Sequence, residues 1–417
     1  MKTKTFILTS LFLAIPFLTH AEQKLSYKLY GFVESQLSFN SRKNLDAAGM
    51  ALNIMPLPEK LDPLGKDLNA VPAAELLAVN SRVGLDIAGL ELFGSQISAK
   101  MEADFLGTGS TYFMLRIRRS YVNMKWEKNN LLVGQEWHPM AMGVMPSTFE
   151  LNGGAPFNPL NRSPQINFTH NINDKWQWHV AALYEMQFLS DGPIGKTPGY
   201  VKDAMVPNFF LGMVNKCGNF RWGAGADMKM ISPRTQSTVD GVAYSVNENL
   251  TTFSYMIFGQ YAKDKLTIKA KAIYGQNLTN MTMVGMYGVS GILDEVTGKR
   301  EYTASNIATG WINVVYGNAL KVGLFAAYTA NLGTDKALLK LENENTIYGT
   351  GHFDGKIINQ MYRVMPQVSY TKNNWKIGLE GGFTTAGYGS VDFKTGKATD
   401  VVNVTNYRVL SALCLTF

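Results

Sequence analysis

Apolar and polar residues alternate along most of this chain. In SYKLYGFVESQLSF, Leu29, Val33 and Leu37 share one face, and Lys28, Glu34 and Gln36 share the other. SQISAKMEADF sets Ile97, Met101, Ala103 and Phe105 against Gln96, Lys100, Glu102 and Asp104. KWQWHVAALYEMQF and KLTIKAKAIYG repeat the theme. A period of two is the signature of a strand with unlike faces. It predicts sixteen strands, over 27–39, 80–90, 95–106, 112–126, 130–138, 164–172, 175–188, 207–216, 219–231, 249–261, 265–277, 303–316, 319–331, 359–371, 374–387 and 403–417.

The connections alternate as well. Short polar turns such as EKNN, INDK and AKDK are followed by long irregular segments, including 40–78, 140–163, 232–248 and 332–358. An even number of antiparallel strands, with short turns at one end and long loops at the other, is how outer-membrane barrels are built. The predicted fold class is therefore all-β, a 16-stranded antiparallel up-and-down transmembrane β-barrel. Apolar faces meet lipid and polar faces meet a central water column. The alternation runs through NYRVLSALCLTF to Phe417, so the C-terminal segment is expected to close the barrel against the first strand. Its aromatic end is expected at the membrane interface, where such rings prefer to lie.

The N-terminus reads as a signal peptide, 1–21: a basic MKTK, an apolar FILTSLFLAIPFL and small residues before a cleavage point at Ala21. Residues 22–417 then form one barrel domain, placed in the bacterial outer membrane. No later stretch is apolar for the roughly 20 residues that a helical span needs. With 39 basic against 32 acidic residues the charge is mild and unclustered, which argues against nucleic acid as a partner. Cys217 and Cys414 are too few for a disulfide-built fold. They read as two free thiols, or as a single bridge.

Sixteen strands enclose a channel too wide for side chains alone to fill. In the lumen-facing phase basic residues outnumber acidic ones, and such rings favour anions. The candidate anion-binding, pore-lining residues are Arg82, Lys100, Arg116, Arg118, Arg221 and Arg363, with Glu102 and Asp104 as acidic lining residues. Arg82, Lys100, Arg116 and Arg118 fall on neighbouring strands. They can hold a carboxylate, or pair with Glu102 and Asp104 to stiffen the wall. Arg119 falls in the lipid-facing phase, a position that suits snorkelling or a subunit interface. His170 falls in the same phase and reads as an interfacial residue. The remaining histidines are scattered, and GPIGKTPG lacks the first glycine of a phosphate-binding loop. No metal, cofactor or catalytic residue is expected.

Residues 81–139 carry SRVGLDIAG, GSQISAKMEADFLGTGS, FMLRIRRSYVNMKW and LLVGQEWHP. This stretch resembles the N-terminal half of DcaP-like porins, and phosphate-selective porins O and P share much of the pattern. The resemblance implies a trimeric sixteen-stranded channel for small anions such as dicarboxylates or phosphate. In general porins the third long loop folds into the pore. By that likeness 140–163 is expected to do so with Glu150 and Arg162 as lining residues, the alternative being a plain surface loop. The ending at Phe417 resembles the signal read by the barrel-assembly machinery. The expected function is passive diffusion of small hydrophilic, preferably anionic solutes through a homotrimer set in outer-membrane lipid. The alternative is an outer-membrane barrel enzyme or a loop-presenting adhesin.

Overall fold

The computed structural model describes residues 25–47, 52–108, 112–141, 143–342 and 344–417. The proposed signal peptide lies outside them. Sixteen strands form one closed antiparallel ring. They are β1 (Ser26–Asn40), β2 (Ala73–Leu77 continuing as Arg82–Leu92), β3 (Ser95–Thr108), β4 (Tyr112–Lys125), β5 (Asn129–Trp137), β6 (Arg162–Asn171), β7 (Trp176–Leu183) and β8 (Asn208–Cys217). The ring continues with β9 (Phe220–Ile231), β10 (Leu250–Lys263), β11 (Leu266–Gln276), β12 (Lys299–Gly317), β13 (Leu320–Thr334), β14 (Lys356–Lys372), β15 (Trp375–Asp392) and β16 (Lys397–Thr416).

Closure is made by β16 on β1, in register from Phe32 opposite Thr416 to Asn40 opposite Arg408. Gly31 and Phe417 exchange both backbone hydrogen bonds at 3.0 Å. The Phe417 ring lies over Gly31, where an added Cβ would stand 2.6 Å from Cζ. In lipid no water satisfies a free strand edge, so this seam is obligatory.

The faces are inverted relative to a soluble sheet. Leu29, Val33, Leu115, Ile257 and Leu379 are exposed on the outside, whereas Gln36, Ser38, Ser254 and Asn313 are buried within. Phe220, Trp222, Tyr316, Tyr370, Trp375 and Phe417 lie exposed near the short-turn end, forming an aromatic girdle. His170 joins it, its ring 5.7 Å from that of Trp178.

Four differences from the periodic reading have local causes. The segment expected to be loop over 40–78 contains a small hairpin, Asn44–Ala47 with Leu52–Pro56, and the first half of β2. The seventh strand stops at Leu183 rather than 188, and a short helix, Gly199–Asp203, occupies the following loop. The expected loop 388–402 is mostly ladder, with β15 and β16 paired as far as Asp392 and Lys397. Above the barrel, Gly285–Asp294 pairs with the start of β12 and with Ile347–Thr350, so two long loops form a sheet of their own.

Arg119 is the instructive correction. A bulge in β4 sets Glu102 opposite Arg119 but Ala103 opposite Ile117, leaving Arg118 as the extra residue. The inward phase therefore shifts by one, and Arg119 turns from the lipid side to the inside. There it makes a bidentate pair with Glu136. Gln135 Nε2 donates to the Ile117 and Arg118 carbonyls, at 3.1 and 3.0 Å, satisfying groups that the bulge frees.

The inside-out arrangement predicts position-dependent costs. Ile257→Arg, on the lipid face midway along β10, should destabilise the barrel by about 2–4 kcal/mol in urea titrations in lipid vesicles. Gln260→Arg, three residues on and facing inward, should stay within about 1 kcal/mol of the parent.

Candidate functional site: a lumen crossed by an anchored loop

The 138–161 segment between β5 and β6, here loop L3, follows an irregular path. Gly153 and Gly154 take positive φ values of 58° and 87°. A Cβ on Gly154 would stand 2.7 Å from Pro146 Cγ, so a bulkier residue is excluded twice over. Ala155 and Phe157 donate back to Asn152 and Gly154 at 3.0 Å, turning the chain repeatedly.

L3 lies inside the barrel and is held by the wall. Lys271 Nζ donates to the carbonyls of Met140 and Ala141, at 3.0 and 3.2 Å, and to Asn158 Oδ1 at 3.1 Å. Lys269 Nζ reaches the Met145 carbonyl and Ser147 Oγ, both at 3.0 Å. Arg221 donates to the Gly143 carbonyl. Arg363 donates to the carbonyls of Ala155 (2.9 Å) and Ile54 (2.7 Å), gripping L3 and the Leu52–Pro56 strand together. At the far wall Glu380 accepts the backbone N–H groups of Phe149 and Glu150, at 2.9 and 3.0 Å. The Phe149 ring lies on Gly378, leaving no room for any side chain there.

Glu150 and Arg162 are both buried. Glu150 pairs with Arg408 at 2.7 Å. Arg162 is stacked between Trp137 (4.8 Å) and Phe188 (5.1 Å). At the root of L3, His138 is fully buried. It accepts the Met140 N–H at Nδ1, at 3.2 Å.

Apolar packing completes the anchorage. Met140, Val144, Phe157 and Leu160 of L3 join Phe210, Phe258, Trp311, Phe325, Met361 and Met365 of the wall in one buried cluster. These wall residues face inward. The polar-lumen rule therefore fails where the lumen holds protein instead of water.

The other candidates form a separate group on β2–β4. Arg116 makes a bidentate pair with Asp104, at 2.7 and 3.2 Å. Arg118 bridges Glu102 (2.9 Å) and Asp104 (2.7 Å), and Arg82 lies 3.8 Å from Glu102. Lys100 pairs with Asp86 and donates to the Tyr30 hydroxyl at 3.0 Å; that hydroxyl donates to Glu102 at 3.0 Å. Arg82, Lys100, Arg116 and Arg118 are thus each paired with a carboxylate, the three arginines sharing Glu102 and Asp104, while Arg221 and Arg363 lie elsewhere and hold backbone carbonyls. The alternation in KLTIKAKAIYG places Lys269 and Lys271 on the inward face as well. Their use as loop anchors was not legible, because it depends on where L3 lies.

With this geometry in view, comparison with solved structures gives the fold a context. The chain superimposes on the outer membrane channel DcaP of Acinetobacter baumannii with a TM-score of 0.66 at 14% identity, covering 96% of this chain and 99% of that one. The fold is that of an outer-membrane porin. A trimer form of OmpT, an outer membrane protein of Vibrio cholerae, matches with a TM-score of 0.54 at 11% identity over 94% and 99% of the two chains. An anion-selective porin from Comamonas acidovorans gives 0.52 at 10% identity over 94% and 100%. No family model and no curated protein sequence matches the chain.

Gly378→Val should unseat Phe149 and loosen the far end of L3 in this porin fold. Planar-bilayer recordings should then show a raised single-channel conductance and noisier open current. Unchanged conductance would mean that this contact does not restrict the lumen.

Proposed function

We propose that the protein is a passive diffusion channel of the bacterial outer membrane, without enzymatic activity, and that it prefers small anions. Carboxylates and phosphate are the solute classes it would favour. The observation that carries this reading is the unequal pairing of lumen cations. On β2–β4 each arginine faces a carboxylate. Among the described residues, no carboxylate lies within ion-pair distance of Arg221 or Lys269, whose partners beside L3 are neutral oxygens, while Arg363 shares its surroundings with Glu150 and Glu380. A carbonyl solvates a cation without cancelling its charge, and a low-dielectric wall focuses the surplus field on passing ions.

The working form in this reading is a homotrimer embedded in lipid. A shallow apolar depression on the outer face, bordered by Leu85, Met101, Ile117 and Ser120, suits a subunit contact. Export would use residues 1–21, and the assembly machinery would read the strand ending at Phe417.

The test is a reversal potential across a KCl gradient in a planar bilayer. The native channel should favour chloride. Arg221→Gln combined with Lys269→Gln should bring the permeability ratio towards one. A cation-selective native channel would overturn the proposal.

Arg116→Ala with Arg118→Ala should also reduce anion preference, because it exposes Glu102 and Asp104. Unlike the L3 anchors, this pair should cost the barrel about 3–5 kcal/mol, since it strips partners from buried carboxylates. Chemical denaturation in vesicles reads that cost.

A further inference from the structure

The lumen wall on the β7–β10 side carries inward-facing rings that pack with L3 and also line a cavity beside it. Phe210 lies flat over Gly212 and Gly225, where a Cβ on Gly225 would stand 2.5 Å from its Cζ. Phe258 lies over Gly223 in the same manner, at 2.7 Å. Glycines let both rings lie back against the wall. Between these rings, Met256, Val214 and the root of L3 at Trp137 and Gly143 is a cavity of about 190 Å³.

One end of the cavity is polar. Arg221 lies there, its guanidinium carbon 5.7 Å from the Phe258 ring centroid. One of its N–H groups goes to the Gly143 carbonyl, and no acceptor among the described residues takes the others. Asn130, Thr169 and His179 complete that end, with His179 held between Thr169 Oγ1 at 3.2 Å and Gln177 Oε1 at 3.0 Å. Glu136, a carboxylate among the lining residues, is already paired with Arg119.

From this arrangement we infer a binding subsite for a small monocarboxylate with an apolar body, of the size of a single ring, held as it crosses the channel. The carboxylate meets the open edge of Arg221, and the body lies against Phe210, Phe258 and Met256. The volume is below that of a drug-sized pocket, which limits the guest to a ring or a short branched chain. A dicarboxylate fits poorly, because its second charge would face apolar wall with no further lysine or arginine lining the cavity among the described residues. The inference rests on the diffusion-channel reading and adds a chemical class to it.

The probe is benzoate, added to the purified full-length channel in planar bilayers, with acetate, succinate and benzyl alcohol as comparisons. Benzoate should reduce the KCl current saturably, at roughly tenfold lower concentration than acetate or succinate, and benzyl alcohol should not reduce it. Phe258→Ala and Phe210→Ala should each raise the half-blocking concentration several-fold, with block read as a fraction of each variant's own benzoate-free current. Equal block by acetate and benzoate, or block unaffected by both phenylalanine variants, would overturn the subsite. The reversal potential in KCl alone, recorded in the same membranes, reads the charge preference separately.

Discussion

The constraint on which the rest depends is that a strand in lipid has nowhere to leave its backbone polar groups. Every ladder must find a neighbour, and the sixteenth must return to the first. The Gly31–Phe417 exchange and the register from Phe32 to Asn40 accomplish this. Once the ring is closed, the rest of the pattern follows. Outward side chains must be apolar, aromatic rings collect near the ends, and inward side chains are free to be charged. The short turns need only reverse the chain, whereas the long loops have room to fold inward or to build on one another.

Charge inside a closed ring must still be accommodated, and this molecule does so in two ways. On β2–β4, cations face carboxylates across the ladder and form a paired lattice. On β9–β14, cations hold the backbone of L3. In the proposed channel the second arrangement couples two properties, because Arg221 and Lys269 both fix the obstructing loop and carry the positive charge on which the anion preference rests. Changing an anchor would therefore alter pore shape and ion preference together, whereas changing the lattice would alter stability and preference.

Much of this was legible in the sequence because the barrel signal is a repeat. Each strand carries the same two-residue period, and errors at one end do not propagate to the next. The inward placement of Arg82, Lys100, Arg116 and Arg118 followed from phase alone; phase left open whether they would hold a solute or pair, and the three arginines meet Glu102 and Asp104 while Lys100 meets Asp86. Arg119 did not, because a one-residue bulge reverses the phase and leaves no mark in composition. The inward Phe258, Phe325 and Trp311 also break the pattern, since the rule that the lumen is polar presumes water where L3 stands. Glycines opposite aromatics in FRWGAGADMKM and NFFLGMV were the available signal for the wall contacts of Phe258 and Phe210.

The central claim is that alternate residues face lipid and a water-accessible lumen. Single cysteines at Gln260 and Ile257 in β10 test it most directly, with Cys217 and Cys414 replaced by serine. A charged, membrane-impermeant thiol reagent is applied to the channel in vesicles. The account predicts rapid labelling at 260, with a drop in conductance, and protection at 257. Labelling at 257 with protection at 260 would contradict it.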